Sequence, residues 1–337
     1  MRKINGQPVD AITDISDTEG GEVLKWDASK GKMVWELQDG EAYIPIVWYG
    51  GRGIWAGGET SSFVDTIQYL AIDTLGNASD FGDLTEARNN NSGCSDGSRG
   101  VSGLGWNSSY AWQKNMDYIT ISTTGNATDF GDLTELRFGA GCCSDGTKGL
   151  WGGGTTGPSA TTYSNVIDYI TIASTGNGAD FGDLTVTRGG LLGAVSDGTK
   201  GIFGGGYSPS KETTIDYVTI SSTGNAADFG DLTVARAGIG SCGDTTRGLF
   251  VGGGYGKVDV IDYITMSSTG NATDFGNLLT SSYMMACSSN GTRGVLGGDA
   301  NPTDNTIEYV TIQTTGNAAD FGNLVASMAN FAAFSGD

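Results

Sequence analysis

The chain has 337 residues, of which 57 are glycine, and its 38 acidic and 18 basic residues give a net charge of −20. Such a charge repels phosphate backbones, so we expect no nucleic acid among its partners. The absence of histidine excludes histidine-dependent nucleophiles and histidine-ligated zinc or copper, and we expect neither a metal nor a cofactor. The chain also lacks the apolar stretch of a signal peptide or a membrane span, so we expect no membrane insertion.

Residues 1–40 are predicted to form a small separate β module. Two strand-like segments, Gly21–Asp27 and Gly31–Trp35, flank a turn at Ala28–Lys30. The pattern resembles a short module of phage tail-fibre and virion proteins, in which Leu24, Trp26 and Trp35 occupy the matching positions. This resemblance implies attachment to other phage virion proteins, and a homo-oligomer that is trimeric as in fibres. The alternative is a plain hairpin packed on the domain that follows.

After a predicted linker at 41–49, the chain consists of six copies of one unit. The string Asp-Phe-Gly-Asp/Asn-Leu recurs at intervals of 46 to 51 residues, with its phenylalanine at Phe81, Phe130, Phe181, Phe229, Phe275 and Phe321. The units span about 50–86, 87–135, 136–186, 187–234, 235–280 and 281–324. A fixed period of this length is typical of a repeat architecture.

Each unit is predicted to contain four short strands, as the copy at 235–280 shows. Its strands are expected at 237–242, at 247–253, at Ile261–Met266 and around Phe275, and the pair Gly270-Asn271 is predicted to form a tight hairpin turn. A repeated four-stranded unit of about 45–50 residues is typical of a β-propeller blade. We therefore predict an all-β fold: a six-bladed propeller over 50–337, plus the small N-terminal β module.

The ring is predicted to be closed by the end of the chain. Residues 325–337 align with first-strand segments of other units and stop where such a unit would continue with a glycine turn. That continuation is present at Gly50–Gly53, so the C-terminal strand would complete the first blade and remove an open sheet edge. The alternative assigns the first strand of that blade to Ile44–Tyr49.

The order of features in the unit resembles the kelch repeat, which has a Gly-Gly pair after its second strand and a tyrosine in its third. The pairs here are Gly57-Gly58, Gly153-Gly154, Gly205-Gly206, Gly253-Gly254 and Gly297-Gly298, and the tyrosines are Tyr69, Tyr118, Tyr169, Tyr217, Tyr263 and Tyr309. The unit departs from kelch in having phenylalanine where kelch has tryptophan. The Asp-Phe-Gly-Asp-Leu block and the segment Thr-Thr-Gly-Asn-Ala-Thr together resemble repeats in structural proteins of marine tailed bacteriophages. This resemblance covers residues 50–337.

An acid and a base recur five residues apart in four units. The pairs are Asp83 with Arg88, Asp132 with Arg137, Asp183 with Arg188, and Asp231 with Arg236. In the last two units the acid becomes Asn277 or Asn323 and the base becomes Ser282 or Met328. Because acid and base disappear together, we predict a structural ion pair that closes the connection between blades. Calcium binding at these acids is the alternative interpretation.

The five cysteines fall at two adjacent positions of the first strand. Cys94, Cys143 and Cys242 share one position, and Cys142 and Cys287 lie one residue earlier. Because Cys-x-x-Cys spacing is missing, we interpret them as small buried residues near the axis and not as metal ligands.

The loop between the second and third strands varies most among the copies in length and content, and it includes seven aromatic residues. These are Phe63, Trp106, Tyr110, Trp112, Tyr163, Tyr207 and Tyr255. Exposed aromatics on one end of a propeller can stack on sugar rings or anchor a partner protein. The alternative is that they pack over the apolar edge of the ring itself.

The resemblance and the residues together favour a non-enzymatic protein. Galactose oxidase has a kelch propeller, but its copper site needs two histidines. Glycoside hydrolysis needs two distinct facing carboxylates, and nearly all acids here are copied with the repeat. We expect a virion protein, a tail fibre or surface decoration, that recognises a host-surface glycan or protein. The alternative is a structural adaptor that grips another virion protein.

Overall fold

A computed structural model describes residues 50–156, 162–254, 256–300 and 303–337, together with the backbone of four short strands before residue 50. The chain divides into two compact units, Met1–Ile46 and Val47–Asp337.

Unit Met1–Ile46 contains two antiparallel pairs of strands. Lys3–Ile4 pairs with Gln7–Pro8, and Glu22–Asp27 pairs with Lys32–Leu37. In the longer pair Leu24 stands opposite Trp35, and Trp26 stands opposite Met33. The pairing predicted on either side of Ala28–Lys30 is therefore present. The side chains of Leu24, Trp26 and Trp35 lie outside the described residues, and so does the predicted linker at 41–49.

Unit Val47–Asp337 is a six-bladed β-propeller of four-stranded antiparallel sheets, as predicted. Its strands follow, blade by blade, from the axis outward. Blade 1 has Ala332–Gly336, Arg52–Ala56, Thr66–Ala71 and Ser79–Asp83; blade 2 has Ser92–Ser95, Arg99–Gly103, Asn115–Thr120 and Thr128–Asp132. Blade 3 has Gly141–Ser144, Lys148–Gly152, Val166–Thr171 and Ala179–Asp183; blade 4 has Gly193–Ser196, Lys200–Gly204, Thr214–Thr219 and Ala227–Asp231. Blade 5 has Gly240–Gly243, Arg247–Val251, Val258–Thr265 and Thr273–Ser282; blade 6 has Ala286–Ser289, Arg293–Asp299, Asp304–Thr311 and Ala319–Asn323.

The C-terminal strand closes the ring, as predicted. Ala332–Gly336 pairs antiparallel with Arg52–Ala56 and fills the innermost place of blade 1. The alternative strand at Ile44–Tyr49 lies outside the described residues, and the edge that it would occupy is taken. The innermost strand of each blade lies beside those of both neighbouring blades, so the six strands enclose a central axis.

The antiparallel order gives the propeller two distinct ends. We call the turn face the end with the turns between first and second strands and between third and fourth strands. We call the loop face the end with the loops between second and third strands and the connections between blades. Because the chain enters the propeller at Arg52 and its last strand ends at Gly336, directly opposite, both points lie on the turn face.

The hydrophobic core lies between the blades. Each of six clusters joins apolar side chains of neighbouring blades. Between blades 2 and 3, for example, Val101, Met116 and Phe130 pack with Trp151 and Ile170, and all five are buried. Since both faces of every blade are covered, third strands carry apolar residues on both sides.

A glycine in each second strand allows neighbouring blades to approach closely. A Cβ at Gly100 would lie 2.0 Å from Phe334 Cε2, and a Cβ at Gly149 would lie 2.5 Å from Cys94 Sγ. Each such glycine faces a side chain of the preceding blade's innermost strand, in the pairs Gly53–Ser288, Gly100–Phe334, Gly149–Cys94, Gly201–Cys143, Gly248–Val195 and Gly294–Cys242. This close contact explains why glycine follows the arginine or lysine at the start of every second strand.

The tyrosine and phenylalanine of the repeat contact each other within each blade. In blade 3, the rings of Tyr169 and Phe181 meet edge to face with centroids 5.9 Å apart, and Lys148 Nζ lies 5.6 Å from the Tyr169 centroid. The same ring pair occurs in all six blades. The two most regular aromatic positions of the sequence therefore stabilise single blades.

The prediction that Gly270-Asn271 forms the hairpin turn was wrong. The turn lies earlier, where the Ser268 N–H donates to the Thr265 carbonyl, and the φ angle of Asn271 is not positive. Asn271 Oδ1 instead accepts the N–H of Asp231 in the preceding blade at 3.1 Å. The equivalent bonds of Asn77, Asn126, Asn177, Asn225 and Asn317 complete the ring. The repeated asparagine therefore links neighbouring blades.

Candidate ligand-binding site on the loop face

Four of the predicted loop aromatics come together on the loop face, between blades 1 and 2. Phe63 and Tyr110 have ring centroids 5.2 Å apart, and Trp106 and Tyr110 have centroids 6.1 Å apart. Trp106 and Trp112 both contact Phe138, at 4.9 and 5.8 Å between centroids. We call these five residues the aromatic cluster. Phe138 was not predicted. The sequence contains a signal for it, because Phe138 follows Arg137 at a position where two other copies have the small residues Gly189 and Ala237.

The connection before blade 2 and the variable loop of blade 2 fix this cluster. Arg88–Asn89 and Trp106–Asn107 form a two-stranded sheet in which Asn89 stands opposite Trp106. Asn107 Oδ1 accepts the N–H groups of Ser109 and Ala111, and the Tyr110 N–H donates to the Asn107 carbonyl at 2.8 Å. These bonds hold Tyr110 at a φ of 57°. That left-handed conformation is unusual for a bulky residue and is often found at functional loops.

Both interpretations of the loop aromatics, ligand binding and packing on the ring itself, describe part of the aromatic cluster. The rings of Trp106, Trp112 and Phe138 pack on one another, which is the self-packing alternative. Tyr110 is 69% exposed, so its ring is available to a ligand. Phe63, Trp106 and Tyr110 line a cavity of about 400 Å³ together with polar residues that include Asn89 and Glu59.

Two residues that line this cavity each have a polar side-chain atom without a hydrogen-bond partner in the part of the chain that the structure describes. The two atoms are Asn89 Oδ1 and Trp106 Nε1, both buried. Asn89 Nδ2 donates to Glu59 Oε2 at 2.6 Å. Because a carboxylate can only accept, that bond fixes the amide with its oxygen directed away from Glu59. Sequence reasoning missed Asn89 and Glu59, since neither belongs to an aromatic pattern.

The remaining predicted aromatics lie elsewhere. Tyr163 and Tyr207 form a second ring pair between blades 3 and 4, with centroids 5.9 Å apart. Tyr163 ends the small sheet of Thr155–Thr156 and Thr162–Tyr163. Tyr255 lies outside the described residues. The six predicted loop aromatics that lie within the described residues therefore form two separate groups.

The arginines of the repeat are buried in ion pairs, but the partners predicted for them were wrong. Arg88, Arg137, Arg188 and Arg236 do not pair with Asp83, Asp132, Asp183 and Asp231; they bind Asp117, Asp168, Asp216 and Asp262 of the following blade at 2.8–3.1 Å. The physical reason is that the connection carries each arginine away from its own fourth strand. Asp132, by contrast, is 41% exposed and pairs with Lys114 on the surface.

Each buried pair has further hydrogen bonds. Arg188 donates to the carbonyls of Thr214 and Phe203 at 2.6 and 3.1 Å, and Thr185 Oγ1 donates to Asp216 Oδ1. Burial lowers the pKa of Arg188, and the nearby Asp216 carboxylate opposes this effect. These bonds make the pair a structural link between blades 3 and 4. Among the described residues no three acidic or cysteine side chains converge on a metal site, so the calcium interpretation gains no support.

The two junctions without arginine have a different third-strand residue. Gln68 replaces the aspartate in blade 1, where its Nε2 lies 2.6 Å from Met328 Sδ. Glu308 replaces it in blade 6, where its carboxylate accepts the N–H of Leu279 at 2.9 Å. Burial raises the pKa of Glu308, and the nearby Asp320 and Asp304 add to the effect. Acid and base are therefore lost together only at the junction of Met328 and Gln68, whereas the junction of Ser282 loses the arginine and keeps an acid, Glu308.

All five cysteines are free thiols in the innermost strands. All five line a small cavity of about 100 Å³ on the axis, and Cys142 and Cys287 also line a second cavity of about 80 Å³. Cys94, Cys143 and Cys242 point between blades, at the second-strand glycines of the next blade. Burial raises the pKa of Cys142, Cys143 and Cys287. These three thiols therefore stay protonated and unreactive at neutral pH.

Comparison with models of known protein families gave no match, and comparison with curated proteins gave none either. In the described part of the chain no helix is long and apolar enough to span a membrane.

Proposed function

We propose that the chain is a non-enzymatic structural protein of a tailed-phage virion, a tail fibre or surface decoration, whose loop face recognises a ligand on the host surface. The observation that carries this proposal is the aromatic cluster beside an open cavity. An exposed ring, two partnerless polar atoms and a cavity meet there, a combination typical of binding sites. Similarity of the repeat to marine phage structural proteins supports the virion assignment.

The position of the site supports a recognition role. Its residues come from a variable loop and a blade connection, whereas the repeat-copied residues form the scaffold. Recognition residues are commonly placed in this way, on loops held by a rigid framework. The chain enters the propeller at Arg52, on the turn face and not on the loop face that holds the site. We propose that residues 1–40 bind other virion proteins and mediate oligomerisation.

The cavity is unsuited to hydrolysis of a glycosidic bond. That reaction uses two carboxyl groups, one on each side of the bond. Glu59 is the only acidic residue among the described lining residues of the cavity, and its carboxylate is engaged by Asn89. This supports binding without catalysis.

The test measures binding of the fluorescently labelled full chain to host cells. We expect Tyr110→Ala to weaken cell binding tenfold or more, since loss of one aromatic anchor typically costs about 2 kcal/mol. The matched control is Leu75→Ala, because Leu75 is 59% exposed on the opposite, turn face. Equal binding by both variants would refute recognition through the loop face.

Gold-labelled antibody against residues 50–337, applied to intact phage particles, tests the virion assignment. We expect label on projecting fibres or on the outer surface. Protein that is present in particles but unlabelled would favour an adaptor that grips another virion protein. Absence from particles would refute the proposal.

A further inference from the structure

We infer that the loop-face cavity binds an uncharged pyranose unit, a hexose or an N-acetylhexosamine. This inference rests on the proposed function and names the ligand class of its site. The cavity of about 400 Å³ lies within the roughly 300–1,000 Å³ of small-ligand sites.

The aromatic rings supply the apolar part of such a site. Phe63 and Tyr110 meet at 65° between ring planes, and Trp106 and Tyr110 meet at 76°. All three rings belong to residues that line the cavity. The C–H face of a pyranose packs against an aromatic ring, and Tyr110 offers the most exposed surface for this contact.

The partnerless atoms match a sugar hydroxyl. Asn89 and Trp106 are directly opposite in an antiparallel pair, so their side chains lie on one face of the small sheet. Among the described residues, Asn89 Oδ1 is an unpaired acceptor and Trp106 Nε1–H an unpaired donor; both atoms are enclosed, so a ligand reaches them only when the side chains around them move. A hydroxyl group can donate to the first and accept from the second. Leaving two such groups unpaired costs about 1–3 kcal/mol each, which a hydroxyl of the ligand would offset.

Charge excludes the acidic sugars. Glu59 places a carboxylate at the cavity, and none of the described lining residues is basic. The chain as a whole has a net charge of −20. A uronic acid, a sialic acid or a phosphorylated sugar would meet repulsion without a compensating cation. An uncharged sugar has no net charge to be repelled by this carboxylate, so its binding free energy carries no such penalty.

The experiment measures binding of methyl hexopyranosides to the full chain by saturation-transfer NMR and titration. The probes are the methyl glycosides of glucose, galactose, mannose and N-acetylglucosamine, with glucuronic acid, galacturonic acid and N-acetylneuraminic acid as charged counterparts. We expect at least one neutral glycoside to bind at least tenfold more tightly than every acidic sugar. Asn89→Ala should weaken that binding tenfold, and Leu75→Ala should leave it unchanged.

A second variant separates ligand contact from folding. Trp106→Phe keeps a ring in place and removes the Nε1–H donor, so it should weaken sugar binding while the unfolding midpoint changes little. Acidic sugars that bind as tightly as neutral ones, or a panel that does not bind at all, would overturn the inference. If cell binding still depends on Tyr110 in that case, the proposed function stands and only the ligand class is wrong. Loss of that dependence refutes the proposed function itself.

Discussion

Replacing Arg188 with methionine should strongly destabilise the propeller. The side chains of Arg188 and Asp216 are both 0% exposed, and their nearest atoms lie 2.8 Å apart. Arg188→Met leaves the Asp216 carboxylate buried with only the hydroxyl and N–H of Thr185 as donors. Removing one partner of a buried ion pair costs about 3–5 kcal/mol, because the other charge stays in a medium of low dielectric constant. We expect this loss in the free energy of unfolding.

The chain itself supplies the compensating change. At the junction of blades 6 and 1, Met328 and Gln68 occupy the places of arginine and aspartate, and Gln68 Oε1 accepts the Val325 N–H at 2.8 Å. The double variant Arg188→Met/Asp216→Gln transplants this neutral pair. Replacing both members of a buried ion pair is often nearly neutral, so the double variant should lie within about 1–2 kcal/mol of the natural chain.

Urea unfolding of the full chain, followed by tryptophan fluorescence, measures all three proteins. The two variants should differ by at least about 1 kcal/mol, with the double variant the more stable. A double variant as unstable as Arg188→Met would show that the cost comes from lost packing and lost carbonyl contacts. A loss below 1 kcal/mol in the single variant would refute the argument from the buried charge.

Three further predictions follow from contacts between blades. Glu308→Gln should raise the free energy of unfolding at pH 7 by about 1 kcal/mol, because Gln68 shows that an amide can accept the same backbone bond. The pKa of Glu308 is raised above its ordinary value of 4.5. The stability that Glu308 contributes is therefore present below pH 4.5 and is lost as the pH rises through the raised pKa. For this reason the variant and the natural chain should be equally stable near pH 4. Gly100→Ala should lower the urea midpoint by the equivalent of 1–3 kcal/mol, since its Cβ meets Phe334, and Phe334→Leu should restore part of the loss. The five thiols should resist a thiol reagent at pH 8 in the native chain and all react in denaturant.

Each of these has a result that would contradict it. A benefit of Glu308→Gln that persists unchanged at pH 4 would mean that charge is not its cause. Additive effects of Gly100→Ala and Phe334→Leu would mean that the two side chains do not compete for space. Rapid labelling of Cys142 or Cys287 would mean that the axis admits reagents and that burial does not protect these thiols.

Repetition made the architecture predictable. Blade number and closure by Ala332–Gly336 follow from a pattern that occurs six times, so the position of a strand in one copy can be checked against the other copies. The ion-pair partners were mistaken because nearness along the chain favoured Asp183 for Arg188. The signal for Asp216 was present, since the third-strand position is aspartate only in the four blades whose connection carries arginine.

The details of the candidate site could not be predicted in this way. Glu59 and Asn89 are 30 residues apart and belong to different blades, and neither position is copied around the ring. Their meeting depends on the angle between blades 1 and 2 and on the pairing of Asn89 with Trp106. Contacts of that kind arise from packing of whole sheets, which a local pattern does not encode.

Closure of the ring by its last strand has a consequence for synthesis on the ribosome. Ala56 and Ala332 are partners, yet their codons are 276 positions apart, as the difference of their residue numbers shows. At roughly 5–20 residues per second, the edge of Arg52–Ala56 waits roughly 14–55 s for its partner to be translated. Throughout that time, while blades 2 to 6 are being translated, the nascent chain exposes the unpaired edge of Arg52–Ala56 to other nascent chains on the same messenger. Chaperone binding to this edge should therefore raise the yield of soluble protein, and silent codon changes that slow the last part of the message should lower it.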